Sequence, residues 1–237
     1  MTRRAMPEPP AEVGVHAGLA YALFLPSGQP AGSILILHGA GSAKESHFDF
    51  ARAARAAGFA ALAFDQRGHG DSGGELGAGL LDDVQAMAGL LPAGPLALRG
   101  SSMGGYLALL AATRLGAGAV VAICPASAEH LLRGLRKGEL GFAADRAGLE
   151  AFLEGHELAP ALAELDVPLL LMHAEGDERI PAAHSSELHE AAATPHKRLL
   201  VIPGGHHRSV QHDPELSAEA LRFIRRALAG DAAPRAG

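Results

Sequence analysis

The sequence predicts an α/β fold of three layers, in which a mostly parallel sheet of about eight strands lies between two layers of helices. Two observations predict this architecture. Short apolar runs alternate with longer helix-forming segments along nearly the whole chain, a pattern that implies crossover connections between parallel strands. Several runs are apolar throughout and stop at glycine or proline, as "SILILHG" (33–39) does. Such runs are typical of strands that are buried on both faces.

The elements follow in chain order. "AEVGVH" and "GLAYALFLP" are expected to pair as a hairpin. Strands are predicted at 18–26, 33–39, 59–65, 95–100, 119–125, 167–173 and 197–203. Helices are predicted at 48–58, 80–91, 103–116 and 214–230. In the first helix, Gly58 is expected as the residue that ends it.

One segment, at about 126–163, is longer than a simple crossover. It reads as two or three short helices that form a small cap over the carboxyl edge of the sheet. We therefore expect one domain over residues 1–237 with a cap insert. The opening "MTRRAMPEPPAEVG" has no apolar stretch after its arginines, so no secretory leader is predicted. The closing "AGDAAPRAG" is expected to be a frayed tail.

Composition excludes several classes of function. The net charge is −6, which argues against a nucleic-acid surface because such surfaces are basic. No apolar run reaches the length of a membrane span. The single cysteine, Cys124, lies in an apolar run and is expected to be a buried thiol. One cysteine allows no internal disulfide, which fits a cytoplasmic protein.

The stretch "LRGSSMGGYL" (98–107) places two serines between a predicted strand and a predicted helix. Gly100, Ser102 and Gly104 fit the pattern G-x-S-x-G, in which the serine lies on a strained strand-to-helix turn. The glycines leave room for neighbouring chain, and the helix N-terminus stabilises negative charge near the serine. Ser101 does not fit because its flanking positions hold Arg99 and Met103. The pattern selects Ser102 as the candidate nucleophile.

Five segments together resemble the α/β-hydrolase superfamily over nearly the whole chain, as a small esterase, lipase or dienelactone-hydrolase-like member. They are "LHGAG", "DQRGHGDS", "GSSMGG", "HAEGDERIP" and "PGGHHRS", each after a predicted strand and in the family's order. The resemblance implies a serine nucleophile, an acid and then a histidine base along the chain. A serine hydroxyl needs such a base, and the base needs an orienting acid.

The resemblance also selects the acid and the base. The family's acid usually follows a glycine and precedes a proline by a few residues, which matches Asp177; Glu175 and Glu178 are expected to be solvated. The base comes four residues after the proline of the last turn, which indicates His207, with His206 as the alternative. Adjacent histidines rarely face one ion, so no metal site is predicted.

Donors for the developing oxyanion are also implied. The amide of Met103 directly follows the nucleophile, and the family's second donor corresponds to Ala40. His38 is expected to hold its loop by hydrogen bonds without a catalytic role. Asp65 and Arg67 are expected to tie loops near the site, and a substrate contact by His69 is the less favoured alternative.

These features predict a serine hydrolase that cleaves short- to medium-chain carboxylic esters through an acyl-enzyme, without a cofactor or metal. The leucines of the insert could line an acyl pocket, although most are expected to pack the insert onto the core. Aminopeptidase, monoacylglycerol-lipase-like and thioesterase activities stay open, as does a binding module without turnover. A peptidase could grip an amino terminus with Glu150 and Glu154, although a solvated helix face is favoured. The partner is expected to be a small-molecule ester, and the protein a monomer or homodimer.

Overall fold

The computed structural model describes residues 7–230. The predictions for the two chain ends, no secretory leader and a frayed tail, lie largely outside these residues. None of the helices within 7–230 combines the length and the apolar character that a membrane crossing needs.

Eight strands form one sheet in the order β1-β2-β4-β3-β5-β6-β7-β8. The pairs β1–β2 and β2–β4 are antiparallel, and all other neighbours are parallel. The mostly parallel sheet and the amino-terminal hairpin are therefore as predicted. The strands are β1 Glu12–His16, β2 Leu19–Phe24, β3 Ser33–Leu37, β4 Ala60–Phe64, β5 Leu96–Ser101, β6 Ala119–Ile123, β7 Leu169–Ala174 and β8 Lys197–Ile202.

Helices cover both faces of this sheet, which gives the three predicted layers. They are α1 Phe48–Ala56, α2 Leu80–Ala88, α3 Met103–Arg114, α4 Ala128–Lys137, α5 Arg146–Gly155, α6 Leu158–Ala163, α7 Ala182–Ala191, α8 Ser209–His212 and α9 Pro214–Leu228. Apolar side chains of α1, α8 and α9 form one core with the sheet, and those of α2 to α7 form the other. The inner strands β2 to β7 are buried on both faces, as their unbroken apolar runs predict.

Most predicted elements occur, with ends that differ by a few residues. The first helix ends at Ala56, and Gly58 follows in the left-handed conformation with φ of 86°, a common helix ending. The sequence did not predict α7, because only two of its side chains, Ser185 and Leu188, are buried. The helical turn α8 and a 3-10 turn at Lys44–His47 are too short for a periodic pattern.

The predicted insert folds as three short helices, α4, α5 and α6. Its leucines pack onto the core formed by α2 and α3. An isolated bridge between Leu76 and Ala144 joins the loop before α5 to the loop before α2. The helices are therefore as expected, and their role as a cap stays a prediction.

The strand order reverses between β3 and β5. From β3 the chain first moves to β4 on one side, and β5 then pairs with the other side of β3. At such a reversal the loops after neighbouring strands diverge and leave a crevice at the carboxyl edge, where open α/β sheets bind ligands. Ser102 follows β5 directly and lies at this point.

Candidate active site

Ser102 lies in a strained turn between β5 and α3. Its backbone has φ of 53° and ψ of −119°, which is rare for a residue other than glycine. Its N–H donates to the carbonyl of Ile123 at 2.9 Å, and its carbonyl accepts from Tyr106 N at 3.0 Å and Ala126 N at 3.1 Å. These three bonds hold the turn from the strand side, the helix side and the adjacent β6 loop.

Gly100 and Gly104 have no room for a side chain. A Cβ on Gly100 would lie 2.0 Å from the carbonyl oxygen of Gly104, and one on Gly104 would lie 2.1 Å from that of Leu37. The two glycines therefore let the start of α3 lie directly against β5 and β3. Ser101 is buried, and among residues 7–230 its hydroxyl has no hydrogen-bond partner, whereas Ser102 is partly exposed.

Asp177 and His207 are brought together by the loops after β7 and β8. His207 Nδ1 lies 2.7 Å from Asp177 Oδ2. Asp177 Oδ1 accepts the amides of Arg179 at 2.9 Å and Ile180 at 3.0 Å. His173 Nε2 lies 3.1 Å from the same Oδ2 atom that faces His207. The carboxylate therefore has four donors around it.

These donors decide the charge of the acid. Burial alone would raise the pKa of Asp177, but the hydrogen bonds from the two imidazoles and the two amides outweigh it, so the pKa lies well below its usual range. Asp177 is therefore ionised at neutral pH. An ionised carboxylate on Nδ1 fixes the proton there and leaves Nε2 of His207 as the basic nitrogen.

The alternative candidates for the acid and the base are exposed and make different contacts. His206 is exposed, and its Nδ1 accepts the amide of Arg208 at 3.3 Å. Glu178 is exposed, and its carboxylate accepts the main-chain N–H of His207 at 3.2 Å. Glu175 is exposed. Within residues 7–230 no hydrogen bond joins Ser102 Oγ to the His207 ring; such bonds are often long in ligand-free sites and tighten on binding.

The amides of Ala40 and Met103 lie beside Ser102. Met103 is the first residue of α3, so its N–H has no intrahelical acceptor. In the described part of the chain neither amide has an acceptor. The loop that carries Ala40 lies close to Ser102, since a Cβ on Gly39 would lie 3.1 Å from Ser102 Cβ. Two free donors at this place could bind an oxyanion.

The His38 ring holds this loop, as expected. Its Nδ1 donates to the carbonyl of Gly39 at 2.8 Å, and its Nε2 accepts the amide of Gln66 at 2.9 Å. Burial lowers the pKa of His38 to about 4, so the ring is neutral at neutral pH.

The "DQRGHGDS" loop ties several segments together. Asp65 is fully buried and accepts Lys44 Nζ at 2.8 Å, and Arg67 forms an ion pair with Asp83 at 2.8 Å. His69 Nδ1 donates to the carbonyl of Arg67 at 2.9 Å, and its Nε2 accepts the amide of Gly41 at 3.1 Å. Because both ring nitrogens have protein partners, the contacts of His69 favour scaffolding over substrate binding.

Cys124, His173 and Asp177 form a buried cluster that the sequence analysis missed. One potential ligand atom from each lies within 4.8 Å of the others. Burial raises the pKa of the Cys124 thiol to about 12, whereas a thiol must be deprotonated to bind a metal. Asp177 Oδ2 is already shared by two imidazoles. The donor set therefore fits a hydrogen-bonded cluster better than a metal site.

A small open cavity of about 140 Å³ lies between the end of α4 and the start of α5. Two contacts connect the residues around this cavity with the loop that carries Ala40. The Phe142 ring centroid lies 4.2 Å from that of His69, and His69 Nε2 accepts the amide of Gly41. Leu132 and Leu140 of the insert are only partly buried. The lining residues are Leu135, Gly138, Leu140, Gly141, Phe142, Ala144 and Arg146.

Two comparisons of sequence show what this chain is similar to. The sequence model of the family described as serine aminopeptidase, S33, matches residues 28–145. YfhR of Escherichia coli O157:H7, described as an uncharacterized protein, is 29% identical over 216 residues, which are 86% of this chain and 73% of YfhR.

Solved structures share the fold. The monoacylglycerol lipase of Paleococcus ferrophilus has a TM-score of 0.68 at 22% identity, with 90% of this chain and 98% of the lipase covered. Est1E of Butyrivibrio proteoclasticus, with ferulic acid bound, has a TM-score of 0.69 at 20% identity, with 93% of this chain and 98% of Est1E covered. With the family match and the observed sheet, they lead to one conclusion: the chain belongs to the α/β-hydrolase superfamily, as its sequence resemblance predicted.

Proposed function

We propose that this hydrolase-family protein is a serine hydrolase that cleaves carboxylic esters through an acyl-enzyme on Ser102. The observation that carries the proposal is the Asp177–His207 pair, 2.7 Å apart, at the same sheet edge as the strained Ser102 turn. A buried, ionised carboxylate on one imidazole nitrogen makes the other nitrogen a general base. A serine in such a turn presents its hydroxyl to that base.

The steps follow from these roles. Ser102 Oγ attacks the ester carbonyl carbon while His207 Nε2 takes the hydroxyl proton. The carbonyl oxygen becomes an oxyanion that accepts hydrogen bonds from the amides of Ala40 and Met103. The intermediate collapses, and the alcohol leaves with the proton from His207. Water then gives a proton to His207 and attacks the acyl carbon. The bond from that carbon to Ser102 Oγ breaks, His207 returns the proton to Oγ, and the acid leaves.

The surroundings support a small or medium acyl group. Most leucines of the insert are buried in the core, among them Leu131, Leu149 and Leu153, so they are not available to line a long channel. A cavity of about 140 Å³ between α4 and α5 includes Leu140, whose carbonyl oxygen would lie 3.4 Å from a Cβ on Gly41, the residue after Ala40. Ester chemistry agrees with two proteins of the same fold, one a monoacylglycerol lipase and one that binds ferulic acid.

An aminopeptidase is the main alternative, because the matching family model carries that description. Glu150 and Glu154 were the candidates for gripping a substrate amino group. Both bind Arg136 instead, at 2.8 and 2.9 Å, on an exposed helix face. Their charges have an arginine partner, so the geometry favours ester cleavage. A thioesterase would use the same residues, and a binding module without turnover would have no need of the complete set.

A fluorophosphonate probe tests the nucleophile. We expect one adduct, located on Ser102 by mass spectrometry, and loss of at least about a thousandfold in kcat for Ser102→Ala. The adjacent Ser101→Ala is the matched control and should retain labelling and activity. Unchanged hydrolysis by Ser102→Ala would overturn the proposal.

The same assay tests the base and the substrate. His207→Ala should lose activity while His206→Ala keeps it, and the reverse would mean that the base is one residue earlier. A panel of p-nitrophenyl esters of increasing acyl length, a thioester and an aminoacyl anilide measures selectivity. We expect the highest kcat/KM with short- to medium-chain esters; a preference for the anilide would support the peptidase.

A further inference from the structure

His173 is a buried histidine that the proposed mechanism does not use. It is the second-last residue of β7 and is 0% exposed. Its Nε2 lies 3.1 Å from Asp177 Oδ2 and 3.0 Å from the carbonyl of Ile180. Its Nδ1 lies 2.6 Å from Ser185 Oγ on α7. Every polar atom of the ring therefore has a partner in the protein.

The partners assign the proton on the ring. The ionised Asp177 carboxylate and the Ile180 carbonyl are acceptors only, so Nε2 must carry the hydrogen that they share. In the neutral ring Nδ1 is then an acceptor, and it receives the hydroxyl hydrogen of Ser185. Ser185 thus holds His173 in the tautomer that donates to Asp177.

We propose that His173 is a positioning residue that holds the catalytic acid by donating its Nε2 hydrogen to the same Asp177 oxygen that faces His207. The proposal rests on the proposed function, in which Asp177 orients the base. Asp177 Oδ1 is already held by two backbone amides. The donor from His173 fixes Oδ2, so the rotation of the carboxylate is set from both ends and His207 is aimed toward Ser102.

The shared oxygen also tunes the base. Part of the negative charge on Oδ2 is stabilised by His173, so less of it acts on His207. Without that donor the carboxylate would favour the imidazolium form of His207 more strongly, and the acid limb of the kcat/KM profile would move to higher pH.

Other titratable groups face the cluster, and their charge states bear on this limb. Burial raises the pKa of Cys124 and lowers that of His130 and His184, so all three are neutral at neutral pH. Hydrogen bonds from backbone amides lower the pKa of Glu178, so its carboxylate stays ionised even at pH values below the usual pKa of a glutamate. Hence none of these four groups changes its charge near neutral pH. The facing groups are Cys124 after β6, His130 on α4, His184 on α7, Glu178 beside Asp177, and His207 after β8.

Two variants of matched size test the donor. His173→Leu removes it, and His173→Gln keeps an N–H near the position of Nε2. For p-nitrophenyl ester hydrolysis we expect His173→Leu to lower kcat by about ten- to a hundredfold, with KM nearly unchanged and the acid limb at higher pH. His173→Gln should recover most of kcat and a wild-type limb. Thermal unfolding of both variants records any loss of stability separately.

Ser185→Ala provides a test if His173→Leu fails to fold, because it removes only the hydroxyl that fixes the tautomer. Ser185→Ala should move the acid limb of the kcat/KM profile to higher pH, by a smaller amount than His173→Leu does. The proposal is overturned if both the Leu and Ala variants keep the wild-type limb, or if Gln and Leu lose kcat equally. Ser102 labelling of the wild-type protein is measured first: its absence rejects the proposed function, whereas labelling with unaffected His173 variants rejects only this inference.

Discussion

At the scale of single residues, the turn at Ser102 depends on glycines that have no space for a methyl group. In Gly104→Ala the new Cβ would meet the Leu37 carbonyl oxygen at 2.1 Å. That atom belongs to the backbone of a central strand, so α3 itself would have to shift. We expect a loss of about 3 kcal/mol in the free energy of unfolding, measured by denaturant titration, and at least about tenfold slower labelling of Ser102.

Gly155→Ala is the control for this change. Gly155 is the last residue of α5, and a Cβ there would have nothing within 4 Å. Its stability should change by no more than about 1 kcal/mol, and its labelling rate should not change. Equal stability and labelling in the two variants would mean that the turn tolerates a shift of α3.

The residue scale also shows what a sequence can and cannot reveal about the site. Ser102 could be selected from the sequence because it and the two glycines that its turn requires lie within five consecutive residues, 100–104. His173 precedes Asp177 by only four positions, yet nothing local shows that its ring returns to that carboxylate. That contact depends on Ser185 and on the path of the loop, and both are set by tertiary packing. The indication that the sequence offered for His173 was a histidine inside an otherwise apolar predicted strand.

At the scale of elements, the insert is part of the core. Leu153 on α5 is 1% exposed and packs in the same cluster as α2 and α3. Leu153→Ala should therefore cost about 2–5 kcal/mol of unfolding free energy, as for other core leucines. Leu132→Ala on α4, where the side chain is only partly buried, should cost clearly less. Equal small losses in denaturant titrations would mean that the insert opens independently of the sheet.

Element prediction succeeded where one physical pattern dominates. Strands buried on both faces are apolar throughout, so the six inner strands could be located from the sequence to within a few residues. Helix α7 could not, because most of its side chains face away from the core and only Leu188 adds a buried apolar contact. Helical turns of four residues, such as α8, are held by their neighbours. For example, Arg99 donates to the carbonyl of Gln211 in α8 at 3.0 Å.

At the scale of the whole molecule, the sheet order gathers distant segments at one edge. Strands β5, β6, β7 and β8 are neighbours in both sequence and space, so the loops after them arrive at the same edge in chain order. The loop after β3 reaches this edge from the other side of β5. This topology explains why the motifs occur in a fixed order although they are separated by whole helices.

The single cysteine makes the opening of this sheet measurable. Cys124 follows the inner strand β6, is 1% exposed, and donates its backbone N–H to the carbonyl of Met172 at 2.8 Å. Burial also raises the pKa of its thiol to about 12, so the folded form holds almost no thiolate for a disulfide reagent such as DTNB. Reaction should require separation of β6 from β7. We expect it to be slower than in denatured protein by about 10³-fold or more, the equilibrium constant for opening.

The denaturant dependence of this rate identifies the size of the opening. If Cys124 is reached only when the sheet unfolds as a unit, RT times the slope of the natural logarithm of this rate against denaturant concentration should equal the m-value of equilibrium unfolding, because both scale with the surface exposed. A rate that hardly depends on denaturant would mean that the loop between β6 and α4 opens locally. The N–H of Ala126 in that loop donates to the carbonyl of Ser102 at 3.1 Å. Local opening should therefore break this hydrogen bond and release the turn at Ser102 at the same time as it exposes Cys124 to the reagent.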